Sequence, residues 1–176
     1  MRPTHRTNTT NLSRRKVRHV QVETPGDLVC FDTFHVGDLK GVGGLWQLTP
    51  CDADGPYAMA KVVPANNATE AASFLRDVVV VGVKKAGWRP CRVLTDGGSG
   101  FKADFDLACR EANVRDRRTK PRHAWAHEFV ERLQGTILHE RWRIAFRRRY
   151  FRRRRQLQGS PDSFLELYNF QRPHQG

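Results

Sequence analysis

The apolar and polar positions of the chain form short apolar runs followed by amphipathic stretches, a pattern that predicts a mixed α/β fold. Three apolar runs come first, at residues 28–34, 45–49 and 57–63, and turns rich in Gly and Asp separate them. Runs of this length between turn residues are typical of β-strands. Three strands in succession with short links predict an antiparallel meander.

The rest of the chain alternates helical and extended patterns. Asn67 followed by Glu70 has the form of a capping box, and apolar positions at helical spacing continue to about residue 85, with Gly87 as the stop. The later predicted elements are a strand at 92–95, a helix at 102–112, a strand at 114–118, a long helix at about 125–151 and a short helix at 163–170. The order β-β-β-α-β-α-β-α-α predicts a mixed five-stranded sheet flanked by helices.

The net charge of +13 is distributed unevenly along the 176 residues. Residues 1–20 hold six basic and no acidic residues, and residues 141–155 hold nine Arg and no acidic residue, whereas the remainder holds 16 basic and 18 acidic residues. Basic segments without interleaved acids are typical of proteins that bind polyanions, with nucleic acid as the first candidate. We expect residues 1–24 to be a basic flexible arm or linker remnant and residues 25–176 to form the core.

Several classes of protein are excluded by composition. No apolar run approaches the ~20 residues that cross a bilayer. No apolar stretch follows the basic N-terminus, so a secretory signal is not predicted. The four cysteines form no CxxC pair and have no His at zinc-finger spacing, which favours reduced thiols in the cytoplasm.

Three carboxylates occupy unusual positions. Asp32 interrupts an apolar strand, Asp96 ends another strand before a Gly-Gly turn, and Glu131 lies near the start of the long helix beside an apolar stripe. A buried carboxylate is costly unless it is paired, hydrogen-bonded or bound to a metal. If the first and fourth strands are neighbours, the two aspartates converge at one edge of the sheet. Three hard oxygen ligands suit Mg²⁺ or Mn²⁺.

The segments around these acids resemble the catalytic core of the DDE transposases of bacterial insertion sequences, which are related to retroviral integrases. The matching segments are residues 26–33, 93–101, 119–123, 129–138 and 168–176. Asp96 and Glu131 are separated by 34 residues, close to the interval that is characteristic of the family. The resemblance covers about residues 25–176.

This resemblance implies a ribonuclease-H-like fold in which Asp32, Asp96 and Glu131 are the catalytic metal ligands, with two Mg²⁺ or Mn²⁺ ions as cofactor. It implies DNA hydrolysis followed by strand transfer through the exposed 3′-hydroxyl. The partners it implies are the DNA of the element ends and of the target, bound by a homo-oligomer, and no membrane. We expect a bacterial, cytoplasmic, DNA-associated enzyme of the polynucleotidyl transferase class.

The sequence departs from the family's pattern near two of the acids. Gly97 and Gly100 replace the Asn and Glu that usually follow the second acid, and His127 and Glu128 replace an Asn-Gly pair before the third. We interpret Glu128 as an N-terminal helix charge rather than a spare ligand. Second-shell groups orient metal ligands, and their loss typically costs about 10–100-fold in affinity or activity.

Two alternatives to an active transposase stay open at this point. The first is a catalytically inactive, truncated DNA-binding remnant of the same fold, since residues 1–24 are too short for the helix-turn-helix region that the family commonly carries. The second is a ribonuclease-H-type nuclease without strand transfer.

The candidate DNA-binding residues are basic and lie on both sides of Glu131. They are Lys120, Arg122, His123, Arg147, Arg148, Arg149, Arg152, Arg153, Arg154 and Arg155. The first three are predicted to contact phosphates near the cleavage site, against the alternative of an exposed basic edge that deters aggregation. The later arginines are predicted to clamp the DNA backbone, while Tyr150 and Phe151 fall at helical spacing and are predicted to pack in the core.

Overall fold

The computed structural model describes residue 22 and residues 24–41, 43–55, 57–119 and 125–171, and of residues 125–129 it describes the backbone only. Residues 1–21, which make up most of the predicted basic arm, therefore lie outside the described residues. None of the helices in the described part of the chain is long and apolar enough to cross a membrane.

Five strands form one mixed sheet in the order β3-β2-β1-β4-β5. The strands are β1 (Leu28–Leu39), β2 (Gly43–Asp52), β3 (Lys61–Val63), β4 (Arg92–Thr95) and β5 (Arg115–Arg118). The first three pair antiparallel as a meander, whereas β4 and β5 run parallel to β1. Parallel neighbours need crossover connections, which helices supply here. The predicted five-stranded mixed sheet is confirmed.

The helices cover both faces of this sheet. They are α1 (Ala68–Phe74), α2 (Val80–Lys85), α3 (Asp104–Glu111), α4 (Trp125–Ile137), α5 (Arg143–Arg148) and α6 (Arg155–Phe170). π-helical turns join α1 to α2 and α4 to α5, and a 3₁₀ turn covers Ser99–Phe101. Asn67 caps α1 as predicted, with its side chain accepting a hydrogen bond from the Glu70 N–H.

Side chains that alternate along the strands divide the core into two layers, as the pleat requires. One layer joins Leu28, Cys30 and Leu94 to Val130, Leu133 and Ile137 of α4 and to buried residues of α6. The other joins Val29, Phe31 and Val93 to residues of α1, α2 and α3. Even-numbered positions of β1 and β4 therefore face α4 and α6.

Several predicted boundaries are wrong. The third strand is restricted to Lys61–Val63, and residue 58 makes only an isolated bridge to Cys51. The helix predicted at 125–151 ends at Arg148 because Arg149 is extended, and the last helix begins at Arg155 rather than at 163. The packing of Leu157 and Leu165 in the core maintains one helix through Gly159 and Pro161.

Candidate active site

Asp32 lies in β1, and Asp96 comes directly after Thr95, the last residue of the neighbouring parallel strand β4. The pairing of the two strands ends at Cys30 opposite Leu94, and Asp32 and Asp96 each follow two residues later along the chain. Adjacent strands in a sheet lie about 4.8 Å apart. The first and fourth strands are thus neighbours in the sheet, which is the arrangement in which the two aspartates were predicted to converge at one edge.

Both aspartates share the even-numbered register of the face that α4 covers. Asp32 is half-buried, and its Oδ1 accepts a hydrogen bond from the Thr33 N–H at 2.7 Å. Asp96 is exposed, and its Oδ1 accepts from the Gly98 N–H at 2.7 Å. These backbone donors restrain each carboxylate while leaving the pair on a solvent-accessible edge of the sheet.

Glu131 lies on the helix that covers this face. It is exposed, but its neighbour Val130 and then Leu133 are buried against β1 and β4. Within the residues that the structure describes, no three His, Cys, Asp or Glu side chains stand close enough together to hold a metal ion. The donor chemistry of the three acids fits Mg²⁺ or Mn²⁺. The fold brings two of the acids to one edge and the third to the adjacent helix, without assembling them into one ligand group.

Arg118 at the end of β5 fixes the loop that follows Asp96. Its aliphatic carbons lie under Gly97, which has a positive φ of 72°, and its guanidinium donates to the Phe101 carbonyl at 3.2 Å. The same guanidinium is ion-paired with Asp106 and with Asp116. Hydrogen bonding to Asp106 raises the pKa of Arg118, and burial raises the pKa of Asp116. Arg118 was not among the predicted site residues, and its charge is used inside the fold.

Gly100 is buried because Asn66 fills the space beside it. A Cβ at position 100 would lie 2.1 Å from the Asn66 Oδ1 and 3.1 Å from its Cγ. That Oδ1 is itself buried and has no hydrogen-bond partner among the described residues. The family that the sequence resembles usually has Glu at this position. Here the position is Gly, and the Asn66 side chain packs against the loop that follows Asp96.

We expect Gly100→Ala to destabilise the protein by about 1–3 kcal/mol, the usual cost of overpacking a filled site. Thermal unfolding measures the change. Combining Gly100→Ala with Asn66→Gly removes the clashing amide, so the two changes are expected to couple and part of the stability to return. Additive costs, with no coupling between positions 66 and 100, would show that the contact is not the cause.

A buried polar chain lies behind Asp32. The Trp142 Nε1–H donates to the Gln47 Oε1 at 2.7 Å, and the Gln47 Nε2 donates to the Thr49 Oγ1 at 3.0 Å. All three residues are fully buried, and Thr49 is the antiparallel partner of Asp32 in β2. These hydrogen bonds connect the π-helical turn after α4 to β2, the strand that pairs with β1 beside Asp32. No local sequence pattern indicates these hydrogen bonds, since Gln47 and Trp142 are 95 residues apart.

The predicted basic DNA-contacting residues have different outcomes. Lys120, Arg122 and His123 lie outside the described residues. The later arginines are all exposed, but they do not share one helix: the run passes from α5 through an extended segment into α6. Phe151 is buried as predicted, whereas the prediction for Tyr150 is wrong, because the chain leaves the helix at Arg149 and the Tyr150 side chain is 74% exposed.

By sequence, no protein-family model and no curated protein matches the chain. By structure, the chain is similar to the catalytic core domain of BIV integrase, with a TM-score of 0.61 at 14% identity over 86% of this chain and 88% of that one. It is also similar to the HTLV-2 integrase catalytic core domain in complex with magnesium in its dimeric form, with a TM-score of 0.65 at 16% identity over 86% and 92% of the two chains.

A third similar structure is the simian T-cell lymphotropic virus intasome in complex with PP2A regulatory subunit B56 gamma. Its TM-score is 0.59 at 18% identity, over 90% of this chain and 52% of that chain. At such identities the likeness establishes the fold. The chain has the ribonuclease-H-like fold of integrase catalytic cores, as predicted, while the match to bacterial insertion-sequence transposases stays a prediction.

Proposed function

We propose that the chain is the catalytic core of a DDE-type transposase or integrase, which cleaves DNA and joins the resulting 3′-hydroxyl to a target strand. The observation that carries this proposal is the parallel register of β1 and β4, with Asp32 in β1 and Asp96 directly after β4, in strands whose even-numbered positions pack against the helix that bears Glu131. Its support is the fold, which the chain shares with integrase catalytic cores.

In this proposal Asp32, Asp96 and Glu131 hold two Mg²⁺ or Mn²⁺ ions. When bound, ions in such a site supply activation of the attacking oxygen and stabilisation of the leaving oxygen in phosphoryl transfer. The Thr33 and Gly98 N–H groups orient the two aspartates, and Arg118 holds the loop after Asp96. A structural neighbour, the HTLV-2 core, is described in complex with magnesium.

The partners in this proposal are the element-end and target DNA, with the exposed arginines of 147–155 neutralising backbone phosphates. A homo-oligomer on DNA belongs to the proposal, since one neighbour is a dimeric integrase core and another is part of an intasome. A bacterial insertion-sequence origin and a cytoplasmic, DNA-associated location complete it.

The proposal is tested by incubating the chain with supercoiled plasmid in Mn²⁺, in Mg²⁺ and in EDTA. We expect nicked circles with 3′-hydroxyl ends in the presence of either metal and none in EDTA. Preferential cleavage of RNA–DNA hybrids without joined products would instead identify a ribonuclease-H-type nuclease.

A second candidate function is an inactive DNA-binding remnant of the same fold. The observation that favours it is the Gly97 and Gly100 pair, since two side chains usual in the resembling family are absent beside Asp96 and Asn66 occupies the space at position 100. This candidate predicts salt-dependent DNA binding with no metal-stimulated nicking in the same assay.

A further inference from the structure

A cleft of about 410 Å³ lies between α5 and α6, beyond the end of the helix that carries Glu131. Three arginines line it, Arg141, Arg148 and Arg149, together with the hydroxyl-bearing residues Ser160 and Ser163. No carboxylate is among the lining residues that the structure describes. The cleft therefore combines positive charge with the Ser160 hydroxyl, a lining suited to an anion.

Arg141 is held in place by α6. Its Nε donates to the carbonyl and the hydroxyl of Ser160 at 2.8 and 3.0 Å, and its Nη2 lies 3.3 Å from the Ser163 hydroxyl. These bonds fix the plane of the guanidinium before any ligand arrives. A fixed guanidinium loses less conformational entropy when it binds an anion than a freely moving one does. Arg141 was not among the predicted DNA-contacting residues.

The segment between α5 and α6 is also restrained. The Gln156 side chain accepts hydrogen bonds from the N–H groups of Arg152 and Arg153, each at 3.1 Å. Arg148 and Arg149, at the start of this segment, are exposed and take part in no ion pair among the described residues. Their charge is thus available to an external partner.

We propose that this cleft binds a phosphate group of the DNA backbone, as a contact separate from the carboxylate edge. Arginine side chains bind phosphate through paired N–H donors, and the Ser160 hydroxyl adds a neutral donor, whereas the Ser163 hydroxyl donates to the Gly159 carbonyl. The proposal rests on the proposed function, because it takes DNA as the substrate. Arg148 is 17 residues beyond Glu131 on nearly continuous helix, which at ~1.5 Å per residue spans about 25 Å, or roughly seven base pairs of duplex.

The test measures binding of a 30-base-pair duplex, which is long enough to span this distance, by fluorescence anisotropy in EDTA at several salt concentrations. The cleft variant is Arg148→Gln/Arg149→Gln. The control variant is Lys84→Gln/Lys85→Gln, which removes the same charge from exposed positions in the last turn of α2 that do not line the cleft.

We expect the cleft variant to raise the Kd about tenfold and to reduce the slope of log K against log salt by about 0.9, the value of one lost phosphate contact. The control variant is expected to change the Kd less than about threefold. Equal losses in the two variants would overturn the proposal, since they would show diffuse attraction. Thermal unfolding of each variant checks that it is folded.

A second measurement separates the cleft from the proposed chemistry. At saturating DNA, Mn²⁺-stimulated nicking by the cleft variant is expected to retain the kcat of the parent chain, with a raised KM. A loss of kcat without a change in Kd would contradict a pure binding role. If the parent chain does not nick DNA, the proposed function fails, yet a selective binding defect in EDTA would still support the cleft.

Discussion

Asp96→Asn is expected to lower the rate of Mn²⁺-stimulated DNA nicking by about 10²–10³-fold. The reason is that a neutral amide is a weaker ligand for a hard cation, and metal stabilisation of phosphoryl transfer is worth several kcal/mol, at about 1.4 kcal/mol for each factor of ten. Asp32→Asn and Glu131→Gln are expected to cause losses of the same order. Asp96 and Glu131 are exposed, so these changes leave the core intact.

The matched control for this prediction is Asp38→Asn. Asp38 is an exposed carboxylate at the far end of the same strand as Asp32, and its recorded partner is His35 at 3.6 Å. The control removes one charge by the same chemical change, and we expect nicking to stay within about twofold of the parent rate, as is usual for an exposed position away from the reaction. A rate for Asp96→Asn equal to that of Asp38→Asn would remove Asp96 from the proposed site.

Trp142→Ala is expected to lower the free energy of unfolding by about 3–5 kcal/mol, the usual cost of deleting a large buried aromatic side chain. Trp142 is fully buried, stacks on Phe146 with ring centroids 5.4 Å apart, and donates to the buried Gln47. Its removal leaves a cavity between the sheet and the turn after α4, and leaves the Gln47 Oε1 without its donor. Urea unfolding measures the loss.

Two further variants show how much of this loss in the free energy of unfolding comes from the hydrogen bond and how much from the buried ring. Trp142→Phe retains most of the ring but not the indole N–H, so we expect a loss of about 1–3 kcal/mol from the unpaired Gln47. Tyr150→Ala removes an aromatic ring that is 74% exposed, and is expected to change stability by less than about 0.5 kcal/mol. Equal effects of Trp142→Ala and Tyr150→Ala would show that the Trp142 contacts do not stabilise the fold.

Local patterns predicted the elements with strong periodicity. The boundaries of β4 match the prediction, because an apolar run between turn residues determines a short buried strand. The meander also follows from sequence, since turns rich in Gly and Asp separate its three apolar runs. The capping residue of α1 could also be predicted from the sequence, because Asn67 is only three residues from Glu70, whose N–H donates to its side chain.

Long-range contacts could not be predicted from the sequence. Gln47 meets Trp142 across 95 positions, and Asn66, which precedes α1, meets Gly100 in the turn after β4. The break at Arg149 was missed because an arginine run has no helix-breaking residue, and the end of the helix there depends on the packing of Phe151 and Leu157 in the core. Tertiary packing overrode the local propensity in this segment.

The candidate site was partly accessible to sequence reasoning. The acids were identified by their unusual places in apolar segments, and the neighbouring positions of β1 and β4 provide the predicted condition for Asp32 and Asp96 to meet. The roles of the three acids stay predictions. Arg118 was missed as a support of the loop because nothing in the order of residues indicates that Asp106 and Asp116 both pair with it.

The most direct test of the central claim is a strand-joining measurement. A labelled duplex with a free 3′-hydroxyl is incubated with supercoiled plasmid and Mn²⁺, and covalently joined label is quantified for the parent chain and for Asp32→Asn. The account predicts joined label for the parent chain and at least a 100-fold reduction for Asp32→Asn, roughly the lower end of the loss expected when a metal ligand is removed. Equal joining by both chains, or DNA binding by the parent chain without any joined label, would contradict it.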